Sequence, residues 1–178
     1  MDDEILVKEC VSGSDKAHRE FFNRFSPVMM GVALRYVKDV ALAEDVLQEG
    51  FIKVFNNLHR FEHKGSLEGW VRRIIVNTAL DHIRKYKKEQ SNIELDNSFF
   101  EVVQKSEVES ELQAEVLLNI VRELPDGYRV VFNMYAIEGY SHKEIAEQLE
   151  ISESTSKSQY SRAKALLRKL LEKYDIER

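Results

Sequence analysis

What most constrains this chain is how little interrupts it. Only seven Gly and two Pro punctuate 178 residues, while apolar residues recur at helical spacing from Ile5 onward. Sandwiches, barrels and glycine-looped nucleotide binders need frequent turn-formers, so this scarcity argues against all three. No segment sustains the strict alternation of a half-buried strand, and the pattern predicts an all-α fold. The length suits one large domain or two small ones. The longest apolar runs, such as Val28 to Leu34, fall far short of the roughly 20 residues that a bilayer span needs. An acidic start, Met1-Asp2-Asp3-Glu4, is the reverse of a secretory leader. The single cysteine, Cys10, excludes an internal disulfide and a Cys-rich zinc site. The expectation is a cytoplasmic helical protein with no membrane insertion.

Periodicity and cap signals place the elements. One helix is predicted over 2–11, ending at Ser12-Gly13. Asp15 caps the next, which buries Phe21, Phe22 and Phe25, and Ser26-Pro27 starts a third that runs to about Lys38. Proline suits a first helical turn because its missing N–H has no partner there. A fourth helix spans about 41–57. After a loop at 59–65, Ser66 opens a long helix through Trp70, Ile74, Ile75 and Ile83 to the basic run at 84–88. From Glu89 to Ser106 the pattern dissolves into polar and acidic residues, as in a tether between domains. Helices resume near 107–123, and Pro125-Asp126 begins another that ends at Glu138-Gly139. The predicted division is therefore 1–88, a linker at 89–106, and 107–178.

The net charge of −5 conceals an alternation. Residues 59–88 carry eight Lys/Arg against three acids, a net of +5. Residues 89–115 carry eight acids against Lys105, a net of −7, and residues 153–173 six bases against two acids, a net of +4. Cations grouped on separate surfaces let a mildly acidic protein bind nucleic acid, although solvated helix faces give the same pattern. The acidic stretch resembles a polyanion in its field and is expected to fold back on the basic faces of the free protein.

The densest motif lies near the C-terminus. Ser141-His142-Lys143-Glu144 is a capping box, in which serine and glutamate satisfy two orphan backbone donors. A short helix with Ile145, Ala146 and Leu149 inward then turns through Glu150-Ile151, and Ser152 caps a second helix from about Glu153. This is a helix-turn-helix. Tyr160, Ala163, Leu167 and Leu170 form the inward stripe of the second helix, leaving Thr155, Ser158, Ser161 and Arg162 opposite, flanked by Lys157 and Lys164. Short hydroxyls allow close approach to a major groove, and longer cations reach phosphates or guanine edges. The device itself does not distinguish a repressor from an activator, or from a purely structural hairpin.

Four motifs in register carry a family resemblance. They are Ala43-Glu44-Asp45-Val46-Leu47-Gln48-Glu49-Gly50-Phe51, then Trp70-Val71-Arg72-Arg73-Ile74-Ile75-Val76-Asn77-Thr78-Ala79-Leu80-Asp81, then Leu124-Pro125, and last Gly139-Tyr140-Ser141-His142-Lys143-Glu144-Ile145-Ala146. The chain resembles the bacterial sigma factors of the extracytoplasmic-function type, which hold only regions two and four. The resemblance implies a promoter-specificity subunit that joins core RNA polymerase, recognises two promoter elements and helps to open the duplex. It also implies an anti-sigma factor as a partner. Four positions depart from the family pattern: Glu150 stands where Gly is frequent, Ser156 where aliphatic residues are usual, and Gln159 and Tyr135 where basic ones are frequent. Ser156 is expected to loosen the packing under the recognition helix.

Site residues follow from pattern and resemblance together. Asp45, Gln48, Glu49 and Ile52 recur at i, i+3, i+4 and i+7 on the helix at 41–57. That acidic-amide strip suits a basic partner helix or a solvated face. The resemblance makes the partner the clamp helices of the polymerase's largest subunit. His59, Arg60, Phe61 and Lys64, with Arg73 and Asn77, combine groups able to stack on and hydrogen-bond an unpaired base. By resemblance they capture a flipped base of the upstream-ten element, though Phe61 serves equally well as core, and Trp70 reads as packing. Thr155, Lys157, Ser158, Ser161, Arg162 and Lys164 face the upstream thirty-five duplex. No metalloprotease helix, phosphate loop or nucleophile elbow occurs. The expectation is no enzyme, no cofactor, no metal and no small-molecule substrate.

Overall fold

The computed structural model describes residues 2–37, 39–90 and 111–173. Among them every regular element is helical. The chain divides into two compact units, residues 1–97 and 98–178. Most of the predicted linker, and residues 107–110 of the helix expected there, lie outside the described residues.

The first unit contains α1 (Asp3–Val11), α2 (Asp15–Tyr36), α3 (Val40–Asn57), a 3₁₀ turn (Leu58–Arg60) and α4 (Leu67–Gln90). Its core joins Leu6 of α1, Phe21, Met29 and Tyr36 of α2, Val46 and Val54 of α3, and Val71 and Ile75 of α4, all buried. Phe21 meets Phe25 and Phe55 with ring centroids 4.7 and 5.4 Å apart, the first pair tilted and the second edge-on, within the range of centroid separations that aromatic pairs favour. Helix α3 packs against α4 at Gly50. A Cβ there would run into the Cδ1 of Ile75, so the glycine leaves room for the Ile75 side chain to seat against α3.

Three local expectations are corrected. Ser14, not Asp15, caps α2: its hydroxyl accepts the Ala17 N–H at 3.3 Å. Asp15 is the first helical residue, where its charge favours the positive end of the helix dipole. Pro27 does not begin a helix but lies inside α2. Phe21 and Phe25 before it, and Met29, Val32 and Ala33 after it, are buried in one core. Their packing outweighs a local penalty of about 3 kcal/mol, and Pro27 itself is exposed. Phe22 stays 38% exposed at the edge of the aromatic cluster, against Phe51.

The second unit contains α5 (Glu111–Glu123), α6 (Asp126–Phe132) running into a π turn (Asn133–Ile137), α7 (His142–Leu149) and α8 (Glu153–Lys173). Buried Arg129 pins the loop between α5 and α6, donating to the Leu124 carbonyl at 3.0 Å and pairing with Asp126. The capping box at Ser141 forms in full. Helix α7 ends three residues before α8 in the turn at Glu150, with φ 55° and ψ 42°. That left-handed conformation costs a residue with a Cβ on the order of 1 kcal/mol. Glu150→Gly is therefore expected to stabilise the chain by about 1 kcal/mol and to raise the midpoint of the C-terminal unit by several degrees. An unchanged or lower midpoint in thermal denaturation would show that Glu150 offsets the strain.

Candidate functional site

Three surfaces collect the predicted residues. On α3, Asp45, Gln48 and Glu49 are exposed and Ile52 is 61% exposed, although it is a large aliphatic side chain. Helical spacing aligns the four on one face. Glu49 also makes contacts that sequence spacing does not indicate. One carboxylate oxygen accepts from Lys53 at 2.7 Å and the other lies 2.7 Å from Nε2 of His82 on α4. Hydrogen bonds from Lys53 first, and then from His82, hold its carboxyl below the usual range.

Beside that face lies a cleft of about 360 Å³ whose lining includes Arg60, Trp70, Asn77, Lys53, Asn57 and Asp81. It therefore brings together Arg60 and Asn77 among the expected strand-binding residues. His59, Lys64 and Arg73 are exposed but do not line it, and Lys64 pairs with Glu62 at 2.6 Å. Phe61 is corrected: it is only 8% exposed, with its ring centroid 5.6 Å from Trp70 and 4.8 Å from His63. A base needs an open ring face to stack, and that of Phe61 is covered. Half-buried Trp70, expected only to pack, is the aromatic side chain at the cleft. Sequence gave no signal for Lys53, Asn57 or Asp81, because the cleft unites the end of α3 with the middle of α4.

On α8, Lys157, Ser158, Ser161, Arg162 and Lys164 are exposed. Lys157 pairs with Glu153 at 2.6 Å, the Ser158 hydroxyl donates to the Thr155 carbonyl at 2.9 Å, and the Lys164 ammonium lies 4.8 Å from the Tyr160 ring centroid. Thr155 is half-buried and belongs to the helix cap, its hydroxyl 2.7 Å from that of Ser152. Ser161 and Arg162 make no hydrogen bond or ion pair to another described residue.

The underside of α8 also differs from expectation. Ser156 is fully buried, and its hydroxyl lies 2.9 Å from Nδ1 of His142. Where an aliphatic side chain would only pack, Ser156 ties α8 to the start of α7. The His142 ring stacks on Tyr135 at 4.2 Å with planes 13° apart, and Tyr160 sits 4.6 Å from Tyr135. Burial, then the charge of Lys157, push the His142 pKa down, while Glu153 opposes them. The folded chain thus favours the neutral ring. The contribution to stability is complete above the unfolded value of about 6.5 and is lost as pH falls from there toward the lower folded value. Thermal midpoints between about pH 7.5 and 5 are expected to fall more steeply for the wild type than for His142→Asn. Parallel curves would place the titration elsewhere.

No group of three or more His, Cys, Asp or Glu among the described residues is arranged to hold a metal ion. No helix among them is long and apolar enough to cross a membrane.

Residues 21–89 match the family model of sigma-70 region 2, and residues 114–167 that of sigma-70 region 4. The ECF RNA polymerase sigma factor SigM of Bacillus subtilis is 33% identical over 138 residues, covering 77% of this chain and 84% of that protein. SigW of the same organism is 28% identical over 181 residues, covering 93% and 94%. The fold is shared with the sigma factor RpoE of Bartonella quintana, solved with the anti-sigma factor NepR: TM-score 0.60, 22% identity, covering 90% of this chain and 98% of that one. It is shared too with CnrH, solved with the cytosolic domain of CnrY, at TM-score 0.53 and 24% identity over 96% and 97%. With both region models matched in order and a relative one-third identical across most of its length, the chain belongs to the extracytoplasmic-function sigma factors, the promoter-specificity subunits that join core RNA polymerase and direct the start of transcription.

Proposed function

We propose that the three surfaces divide the work of initiation. Residues 1–88 dock and melt: Asp45, Gln48, Glu49 and Ile52 engage a basic helical clamp on the polymerase. Arg60 and Asn77, with Trp70 in place of Phe61, receive an unpaired base of the upstream-ten element. His59, Lys64 and Arg73 follow the strand's phosphates. Residues 107–178 read the upstream thirty-five duplex through Thr155, Lys157, Ser158, Ser161, Arg162 and Lys164, and 89–106 tethers the two. The observation that carries this reading is the cleft that joins a cation, an aromatic ring and an amide beside an acidic exposed face. Those are the groups that hold a phosphate, stack on a base and hydrogen-bond its edge.

The contribution to initiation is differential binding. A protein that prefers the unpaired strand offsets part of the cost of melting and needs no catalytic group of its own. The chain acts in the cytoplasm. Because RpoE and CnrH were each solved with a bound partner, an anti-sigma factor is proposed to sequester this chain too. In-vitro transcription with core polymerase across a promoter library tests the reading. The expected result is transcripts that start only downstream of a shared pair of spaced elements. Duplex binding without affinity for core would indicate a stand-alone regulator, and salt-insensitive or absent DNA binding would indicate a protein adaptor.

A further inference from the structure

Both carboxylate oxygens of Glu49 are occupied, one by Lys53 at 2.7 Å and the other by His82 at 2.7 Å. A basic partner that engages Glu49 must compete with both. Lys53 has one other acidic neighbour, Asp81, at 3.5 Å. Asp81 is already engaged by Arg84 at 2.9 Å, so it is the weaker holder of Lys53. The Lys53 ammonium sits on a flexible four-carbon stem, is 38% exposed, and lines the same cleft as Arg60, Trp70 and Asn77. A compact cation on such a stem reaches a phosphate readily once its carboxylate is taken away.

We propose that Lys53 is a further strand-contacting cation, neutralised by Glu49 in the free protein and released to the promoter strand when the polymerase takes Glu49. The geometry makes one carboxylate the shared partner of two functions. Glu49 cannot fully serve the polymerase and Lys53 together, so docking uncovers a positive charge in the cleft where the strand arrives. The release half of this proposal rests on the assignment of Glu49 to the polymerase face. The masking half does not.

The full chain tests it, with a labelled single-stranded oligonucleotide of mixed sequence as the probe. Glu49→Gln removes the charge and keeps the shape. It is expected to tighten binding roughly five- to tenfold at about 50 mM salt, and to steepen the salt dependence by about 0.7, the increment for one added phosphate contact on a single strand. The double variant Glu49→Gln/Lys53→Met should lose that gain. Glu44→Gln, which removes an exposed charge from the same helix, should show none of it. No gain in Glu49→Gln overturns the proposal. So does a gain that survives Lys53→Met, or one that Glu44→Gln matches, since either would be an effect of net charge. Core-polymerase affinity is measured beside these. Undiminished affinity of Glu49→Gln overturns the docking assignment and the release step, while the oligonucleotide result alone decides whether Glu49 masks Lys53.

Discussion

Replacing Asp45, Gln48 and Glu49 together by Ala is expected to abolish binding to core RNA polymerase and leave the helical fold intact. All three side chains are exposed, so their loss opens no cavity. The ion pairs that Glu49 gives up to Lys53 and His82 lie at the surface, where such pairs contribute about 0–1 kcal/mol. Truncating residues central to an interface costs about 2 kcal/mol or more at each hot spot. Two hot spots among the three would cost about 4 kcal/mol, roughly a thousandfold in affinity. Pull-down or anisotropy with core polymerase measures the loss, and far-UV circular dichroism checks the fold. Wild-type affinity in the triple variant would remove this face from the docking surface.

The second large effect separates the two forms of DNA. Arg162→Ala should weaken duplex binding and relax preference at one or two base pairs by about 1–3 kcal/mol, while single-strand capture persists. Asn77→Ala and Trp70→Ala should do the reverse, with a deficit of about 1–3 kcal/mol for a lost stacked base, visible in permanganate footprinting of the open complex. Phe61→Ala belongs to neither class. Its ring is buried under Trp70, so truncation is expected to lower stability by a few kcal/mol before it changes strand capture. Should Arg162→Ala impair strand capture as much as Asn77→Ala does, the division of labour between the two units fails.

The helices and their family were legible because they rest on local rules. Apolar spacing placed α3, and the capping box at Ser141 formed as the four residues predict. Errors arose where a distant partner decides the outcome. Nothing local to Pro27 shows that Phe25 and Met29 enter one core. Nothing in Glu49 announces His82, a residue 33 positions away. Ser156 read as an aliphatic vacancy because its partner, His142, sits on another helix. Exposure of Asp45, Gln48, Glu49 and Ile52, and of the predicted α8 recognition residues other than Thr155, followed from periodicity, whereas the cleft needed two helices brought together before Trp70 and Phe61 could be told apart.

Gly50 carries a mechanical consequence. The Ile75 side chain of α4 seats against the bare backbone of α3 at this glycine, its Cδ1 where a Cβ would stand, and neither helix can slide without opening a void in a close-packed core. A load applied to α3 is borne at once by α4. On the proposed reading, a polymerase holding the outer face of α3 would set where Asn77 and Trp70 stand to within the tolerance of that packing. The strand would then pull against the enzyme's own frame through the seated Ile75 side chain. A larger residue at position 50 would act as a shim, displacing the Ile75 side chain while leaving the proposed polymerase- and DNA-facing groups chemically unchanged.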